Sequence, residues 1–255
     1  MNTDESLSIC IIAKDDLHNV KRLLENVQGL GAEIVIVDTG SPAEVIAYET
    51  QQASTVIRKQ WNHDFAYMRN FAIETAQSAW ILMLDTDETI TEELKRKIPS
   101  LLSDSDIEGY NFKRIHFVDE KNPLVDYWFH LRLFRRHAHY FGAIHESIKN
   151  VTKTENIDCE NCSILHHNPR SYQRIKSLKY VAELRSKIQE ARASGDSRMA
   201  DYYAYKLWIV ENIHLLESLP TVDFELLKKR YAEYEKRKKY INARIKKEAW
   251  PVETY

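Results

Sequence analysis

The sequence predicts an α/β protein: a mixed, Rossmann-like sheet flanked by helices, followed by an all-helical C-terminal extension. Three observations predict it. Short β-branched apolar runs alternate with amphipathic helical patterns over the first hundred residues or so, as in doubly wound sheets. Segments of strand character, rich in aromatic residues and His, fill residues 109–168. Helical periodicity then takes over, so we expect domains of residues 1–170 and 171–255.

Four apolar runs in the first hundred residues have the texture of strands that are covered on both faces of a parallel sheet. They are Leu7 to Ala13, Glu33 to Asp38, Thr55 to Lys59 and Trp80 to Leu84. The segments between them have apolar residues at helical spacing, and helices are expected to begin near Asp15, Ala43, Asp64 and Thr91. Because ligands bind at the carboxyl ends of such strands, the polar residues that follow the strands are the first candidates for a site.

The second half of the chain predicts a different architecture. Strand-like segments run from Gly109 to Phe117, Tyr127 to Phe134 and Cys162 to His166, separated by polar turns, which indicates a mixed or antiparallel sheet. Three helices are expected after Ser171, the later two covering Ser197 to Leu216 and Val222 to Lys247. These C-terminal helices are candidates for a homodimer contact or for shaping an acceptor cleft.

Composition excludes several classes of protein. A formal charge of −2 gives no global basic field, so we expect no nucleic-acid partner. Three cysteines are too few for a disulfide framework, which favours a reducing compartment and a cytoplasmic location. The acidic, polar N-terminus lacks the pattern of a secretory signal. Apolar runs of about five residues fall short of the roughly 20 that span a bilayer, so membrane contact would be peripheral, at the inner face.

An acidic pair at the end of a buried strand is the sharpest local feature. Asp85 and Asp87 are separated by Thr86, and alternate residues on extended backbone point the same way, so two carboxylates can share one hard cation such as Mg²⁺ or Mn²⁺. Such a cation can bridge diphosphate oxygens and offset the charge of a leaving nucleoside diphosphate. The alternative is that Asp87 or Glu88 only caps the following helix.

Two further polar segments are candidates for binding sites, one for a nucleotide and one for zinc. Asp38 follows the second strand and can accept hydrogen bonds from a nucleobase or ribose; the alternative is an ordinary strand-to-helix turn. Cys159 and Cys162, followed by His166, have residue types found in zinc sites. The short spacing would splay these ligands, so ordinary packing or an exposed turn is favoured over zinc.

The order of these motifs resembles the family 2 glycosyltransferases over roughly residues 7–168. Several segments are similar to family patterns such as "IVVDTGS", "DFAxxRN", "WILxLDADE" and "RLFR…GxIHE". They are Ser8 to Asp15, Ile34 to Ser41, Asp64 to Asn70, Trp80 to Glu88, Leu131 to Arg136, Gly142 to Glu146 and Ile164 to His166. The chain departs from the family pattern after Ser41, where Pro42-Ala43-Glu44 replaces "TDGT".

The resemblance implies a GT-A fold and inverting transfer of a hexose from a UDP-sugar or a related nucleotide sugar. It implies a cation, Mn²⁺ or Mg²⁺, at Asp85 and Asp87, with Asp87 also counted as catalytic. His166 is the candidate that completes the metal shell, and His145 competes with it. The donor-site candidates are Ala13, Asp15, Asp38, Thr39, Arg69, Asn70, Asp85 and Thr86.

An inverting transfer needs a base that takes the proton of the acceptor. Glu146 is the candidate by its likeness to the family's "IHE" segment, while Glu88 and Asp126 stay open as alternatives. The acceptor is expected to be a peptide, as in bacterial peptide S-glycosyltransferases, or a cell-surface glycan or glycolipid. Two other functions remain as alternatives: a non-catalytic nucleotide-sugar sensor or scaffold, and a sugar-phosphate nucleotidyltransferase.

Overall fold

A computed structural model describes residues 3–14, 17–117, 123–144, 146–167 and 170–215, together with parts of 226–240. The chain forms two compact units, Met1–Asn168 and Pro169–Tyr255. Both units contain buried apolar side chains, such as Trp80 in the first and Leu184 in the second. The assignment of the first unit to catalysis and of the second to a helical accessory role stays a prediction.

The first unit begins with the alternation that the sequence predicts. Its elements up to the acidic pair are β1 (Leu7–Ala13), α1 (Leu17–Val27), β2 (Glu33–Asp38), α2 (Ala43–Gln52), β3 (Thr55–Arg58), α3 (Phe65–Thr75) and β4 (Trp80–Asp85). Strand β1 lies between β2 and β4 and is parallel to both, and β3 is parallel to β2. These four strands form the parallel half of the sheet, so their carboxyl ends meet at one edge.

The remaining elements of this unit make the sheet mixed. They are β5 (Glu88–Ile90), α4 (Glu92–Leu102), β6 (Gly109–Phe117), β7 (Pro123–Arg135), β8 (His139–Phe141), β9 (Ser147–Lys149), β10 (Thr154–Ile157) and β11 (Ser163–His166). The strand order is β3-β2-β1-β4-β7-β6-β11-β5, with β10 also pairing with β6. Strand β7 is antiparallel to β4 and β6, and β5 is antiparallel to β11. The predicted mixed α/β sheet is therefore confirmed.

Apolar side chains cover both faces of the sheet, which explains the continuous apolar runs of its strands. Helices α1, α2 and α4 pack on one face, where Leu23 and Leu94 are among the buried residues. Helix α3 packs on the other face through Met68 and its neighbours. Trp80 is fully buried and stacks on Tyr110 with ring centroids 5.7 Å apart. This double cover makes the sheet a rigid platform for its carboxyl edge.

The second unit is helical in the part that the structure describes. It contains α5 (Arg170–Ala193) and α6 (Ser197–Ile209), and a π-helix, Val210–His214, follows α6. The Asp196 side chain caps α6 by accepting a hydrogen bond from the Met199 backbone N–H. No helix among the described residues is long and apolar enough to cross a membrane. Most of the helix predicted over 222–247 lies outside the described residues.

Several short elements differ from the expectations. Strand β5 stands where the chain was expected to enter a helix, and the hairpin of β8 and β9 was not predicted, because three-residue strands are too short to show a period. Cys159 and Cys162 form a disulfide, which the cysteine count did not predict. A disulfide offers no thiolate ligands, so the structure does not support the zinc hypothesis.

Candidate active site

The ends of β1 and β2 are locked together at the carboxyl edge of the sheet. Thr39 donates two hydrogen bonds to the Ala13 carbonyl, from its backbone N–H at 2.8 Å and its hydroxyl at 3.1 Å. The buried carboxylate of Asp38 accepts hydrogen bonds from the N–H groups of Gly40, at 3.1 Å, and Ser41, at 3.2 Å. Three predicted donor-site residues, Ala13, Asp38 and Thr39, therefore lie together at the hydrogen-bonded ends of β1 and β2. Asp15 lies outside the described residues.

A second carboxyl group is buried near Asp38. Glu49, on α2, has 0% relative exposure, and neither of its carboxyl oxygens has a hydrogen-bond partner within the described part of the chain. Burial and the negative charge of Asp38 raise the pKa of Glu49 to about 7. A buried acid beside an ionised carboxylate favours the protonated form, since desolvation and like charge both disfavour ionisation. The neutral form of Glu49 is therefore favoured below neutral pH.

Strand β4 ends at Asp85, and the chain turns at Thr86 and Asp87 before it continues as β5. The alternate-residue geometry that the sequence predicts ends with the strand, so the two carboxylates contact different partners. Asp85 accepts a 2.7 Å hydrogen bond from Arg69 through one oxygen and lies 3.4 Å from Arg132 through the other. The Asp87 carboxylate instead contacts His166 on β11.

Asp87 and His166 form the best candidate metal pair. Asp87 Oδ2 lies 3.3 Å from His166 Nε2, and their side chains are 11% and 10% exposed. The antiparallel pairing of β5 with β11 holds them there, because it places His166 opposite Glu88. The His167 N–H also donates to the Asp87 carbonyl at 2.8 Å. One carboxylate and one imidazole are a donor set that fits Mn²⁺. The described residues hold no cluster of three or more His, Cys, Asp or Glu suited to a cation, so Asp87 and His166 are not part of a larger preformed set among them.

Glu88 has a structural role next to Asp85, Thr86 and Asp87, which together form the acidic loop. Its side chain is completely buried; one oxygen accepts a 2.6 Å hydrogen bond from Arg132, and the other accepts the Asp85 N–H at 3.0 Å. Arg114 contributes a second cation at 3.6 Å. These contacts leave Glu88 no access to an acceptor, which makes it unsuited to be the base. Helix α4 is capped by Thr91, so neither Glu88 nor Asp87 is its cap.

Arg69 connects the acidic loop to the candidate base. Its Nε donates to Glu146 at 2.5 Å, and its Nη2 donates to Asp85 at 2.7 Å. Burial lowers the pKa of Arg69, but the carboxylates of Asp85 and Glu146 outweigh this effect and raise the pKa well above its ordinary value. Arg69 is therefore a permanent cation, held in a fixed fork between two predicted site residues.

Asn70 was predicted to contact the nucleotide-sugar donor, but its side-chain amide hydrogen-bonds to the protein backbone. Its Oδ1 accepts the Tyr140 N–H at 2.8 Å, and its Nδ2 donates to the Tyr140 carbonyl at 2.9 Å. The same nitrogen lies 3.1 Å from Nε2 of His139. Asn70 thus lies next to Arg69 in the sequence, and its amide hydrogen-bonds to the backbone of β8. A role in binding the donor stays a prediction.

Besides Asp15, two further predicted candidates, His145 and the side chain of Asp126, lie outside what the structure describes. Sequence reasoning missed Arg132, whose buried guanidinium contacts both Asp85 and Glu88. Burial lowers the pKa of Arg132, while Glu88 and Asp85 raise it to above the ordinary value overall. The available signal was a charged residue inside the apolar run Leu131-Arg132-Leu133-Phe134, because a buried strand rarely holds a charge without a partner.

Comparison with known proteins identifies the family. The model of the family described as Glycosyl transferase family 2 matches residues 8–175. A TPR repeat-containing protein of Synechococcus elongatus is 31% identical over 108 residues, covering 42% of this chain and 27% of that protein. The SPbeta prophage-derived glycosyltransferase SunS of Bacillus subtilis is 32% identical over 91 residues, covering 34% of this chain and 21% of that protein. The matches thus span about a fifth to a quarter of these relatives' lengths.

A solved structure agrees in fold. The crystal structure of S. aureus TarS 1–349 superposes with a TM-score of 0.50 at 12% identity, covering 95% of this chain and 91% of that one. At such low identity the superposition supports the fold alone. The family match covers most of the first unit, including the turn at Asp38, the acidic loop, Glu146 and His166. The chain therefore belongs to glycosyl transferase family 2 and has a GT-A fold.

Proposed function

We propose that this enzyme transfers a hexose from a UDP-sugar to its acceptor with inversion at the anomeric carbon, using Mn²⁺ or Mg²⁺ held by Asp87 and His166. The observation that carries this proposal is the Asp87–His166 pair at 3.3 Å, which offers a carboxylate and an imidazole beside the carboxyl edge of the sheet. Edges of this kind are where α/β sheets bind nucleotides.

When bound, the cation neutralises charge on the diphosphate and stabilises the nucleoside diphosphate as it leaves. Asp87 and His166 would hold it. Asp85 was predicted as a further ligand from the family resemblance and remains a proposal in that role. Its present partners, Arg69 and Arg132, give it a second function, which is to hold two guanidinium groups near the acidic loop.

The nucleoside of the donor is assigned to Ala13, Asp38 and Thr39 at the adjacent ends of β1 and β2. One oxygen of Asp38 already accepts from Gly40 and both lie near the Ser41 N–H, so the carboxylate is oriented by the backbone before any ligand arrives. A preoriented acceptor of this kind loses less conformational freedom when it binds a nucleobase N–H or ribose hydroxyl. Thr86, between the two aspartates, stays a predicted donor contact.

The proposed base is Glu146. The acceptor oxygen or sulfur attacks the anomeric carbon from the face opposite the diphosphate, and the bond from that carbon to the diphosphate oxygen breaks. The bonding electron pair leaves with UDP, and the acceptor proton goes to Glu146. Arg69 orients Glu146 by a direct hydrogen bond, and the same arginine contacts Asp85, so the base and the acidic loop share one anchor.

The acceptor is proposed to be a peptide or a cell-surface glycan or glycolipid, which the family resemblance suggests. We also propose that the C-terminal helices help to define the acceptor, with a homodimer contact as a further role, and that the enzyme works in the cytoplasm. These proposals are separable from the donor site, because a donor can bind and hydrolyse without any acceptor. The donor site is therefore the part to test first.

A thermal-shift and hydrolysis screen of UDP-, GDP- and dTDP-sugars, with and without Mn²⁺, tests the function. We expect a UDP-sugar to stabilise the protein only with metal, and to release UDP slowly. The Asp87→Ala variant should lose both effects. Asp158→Ala is a matched control, since Asp158 is an exposed carboxylate that pairs with the surface residue Lys113. Binding without metal dependence or turnover would favour the sensor alternative instead.

A further inference from the structure

Two asparagines on opposite faces of the sheet make the same double contact with the backbone. Asn26, on α1, accepts the Ile90 N–H at 2.8 Å and donates to the Ile90 carbonyl at 3.0 Å. Asn70, on α3, does the same at Tyr140, at 2.8 Å and 2.9 Å. A side-chain amide carries one acceptor and a donor group, so each asparagine replaces the peptide group of a missing neighbouring strand.

The residues held in this way belong to β5 and β8, two of the three-residue strands around the site. Ile90 is the last residue of β5, which follows the acidic loop directly and ends the order of the main sheet. Tyr140 is the middle residue of β8, which leads into the loop that carries Glu146 and pairs with β9. A three-residue strand at an edge has few ladder hydrogen bonds of its own. The asparagine bonds are therefore a large share of what fixes each strand.

Each strand that an asparagine holds positions a different part of the site: β5 positions the metal pair, and β8 positions the proposed base. Strand β5 sets the position of Asp87 relative to His166, because its pairing with β11 brings the acidic loop against that histidine. Strand β8 sets the position of Glu146, together with two other contacts from α3. These are the Phe65 N–H, which donates to the Ala143 carbonyl at 2.9 Å, and the Arg69 hydrogen bond to Glu146.

We propose that Asn26 and Asn70 are positioning residues with separate effects: Asn26 sets the affinity for the divalent cation, and Asn70 sets the rate of the chemical step. This inference rests on the proposed metal pair and base. Neither asparagine needs to touch a substrate, since each acts through the backbone that it holds. Groups that orient metal ligands typically change affinity or activity by about 10- to 100-fold when they are removed.

Matched serine variants, Asn26→Ser and Asn70→Ser, test this assignment because each loses the same pair of amide contacts. Two quantities are measured with UDP-glucose as the probe. One is the Mn²⁺ concentration that gives half-maximal stabilisation by UDP, and the other is the rate of UDP release at saturating Mn²⁺. Asn111→Ser is the control, since Asn111 donates a 3.3 Å hydrogen bond to the Glu155 carbonyl on a different part of the sheet.

We expect Asn26→Ser to raise the half-maximal Mn²⁺ concentration about tenfold or more while the saturated rate stays near that of the wild type. Asn70→Ser should lower the saturated rate about tenfold or more with an unchanged Mn²⁺ requirement. If a serine variant does not fold, the aspartate variant is used, since it keeps the oxygen that accepts the backbone N–H.

The test requires that the wild type shows Mn²⁺-dependent UDP binding and turnover. The separate assignments would then be overturned if both variants changed the same quantity, either the half-maximal Mn²⁺ concentration or the saturated rate of UDP release. They would also be overturned if neither quantity changed. A simple loss of stability would lower the melting temperature of both variants without splitting the two quantities. A wild-type protein that neither binds UDP with Mn²⁺ nor releases it from UDP-glucose would instead overturn the proposed function, and this inference with it.

Discussion

Replacing Glu49 with glutamine is expected to stabilise the protein at pH 8 and to leave its stability nearly unchanged at pH 4. The Glu49 carboxyl is fully buried without a hydrogen-bond partner among the described residues, and burial and Asp38 raise its pKa from 4.5 to about 7. A raised pKa in the folded state means that the folded protein holds this proton more tightly than the unfolded chain. Stability from the protonated group is complete below pH 4.5 and is lost as the pH rises through 7.

The size of the effect follows from the pKa change. Ionising a carboxyl whose pKa has risen from 4.5 to about 7 costs the folded state about 3 kcal/mol at high pH, as an order of magnitude. Glutamine has a similar shape and does not ionise, so the variant avoids this cost. Urea unfolding of the Glu49→Gln variant and the wild type, from pH 4 to 8, measures the difference. Taking the difference cancels the other groups that titrate in this range.

Glu108→Gln is a control of opposite sign. Hydrogen bonds from the Thr152 hydroxyl and N–H, and from the Lys153 N–H, lower the pKa of Glu108 to about 2. This carboxylate contributes stability above pH 4.5 that is lost as the pH falls through 2, so its replacement should destabilise the protein at pH 8. A Glu49→Gln difference that stays constant from pH 4 to 8 would refute the description of Glu49 as a buried, protonated acid.

Two further substitutions test the ionic network of the acidic loop. Arg132→Met removes the nearest cation of the fully buried Glu88 and should lower the free energy of unfolding by roughly 3–5 kcal/mol, measured by urea unfolding. Wild-type stability in that variant would show that Glu88 does not depend on this partner. Arg69→Lys keeps the charge but cannot fork between Asp85 and Glu146, so UDP release from UDP-glucose should slow by about 100-fold while the protein stays folded. An unchanged rate of UDP release would argue against the arginine fork.

The parallel half of the fold was predictable because its signal is local. Runs such as Glu33–Asp38 are apolar on both faces and are bounded by turn residues, so they show their strand character without any knowledge of the partners. Strand β5 was missed for the opposite reason. Its three residues, Glu88 to Ile90, have no measurable period, and they form a strand because β11 pairs with them from more than 70 residues away in the chain.

Site residues were predictable where they belong to short sequence motifs that can be recognised without the structure. Asp87 and His166 were both predicted as metal ligands, and the structure brings their side chains together. Metal binding by this pair stays a prediction. Arg132 and Asn26 were not predicted as site residues. Arg132 contacts Glu88 across 44 positions of sequence, and Asn26 contacts Ile90 across 64. Contacts of this range depend on the packing of the whole sheet, which local patterns do not encode.

Electron-spin-echo spectroscopy of Mn²⁺ bound together with UDP tests the central claim most directly, because it detects nitrogen in the coordination shell of the metal. We predict nitrogen modulation in the wild type. The modulation should also persist in the control variant His167→Gln, because the ring of His167 lies 2.8 Å from the Thr89 hydroxyl and is not assigned to the metal. His166→Gln should lose the modulation. Bound Mn²⁺ without nitrogen modulation in the wild type, or modulation that survives in His166→Gln, would contradict the assignment of Asp87 and His166 as the metal pair.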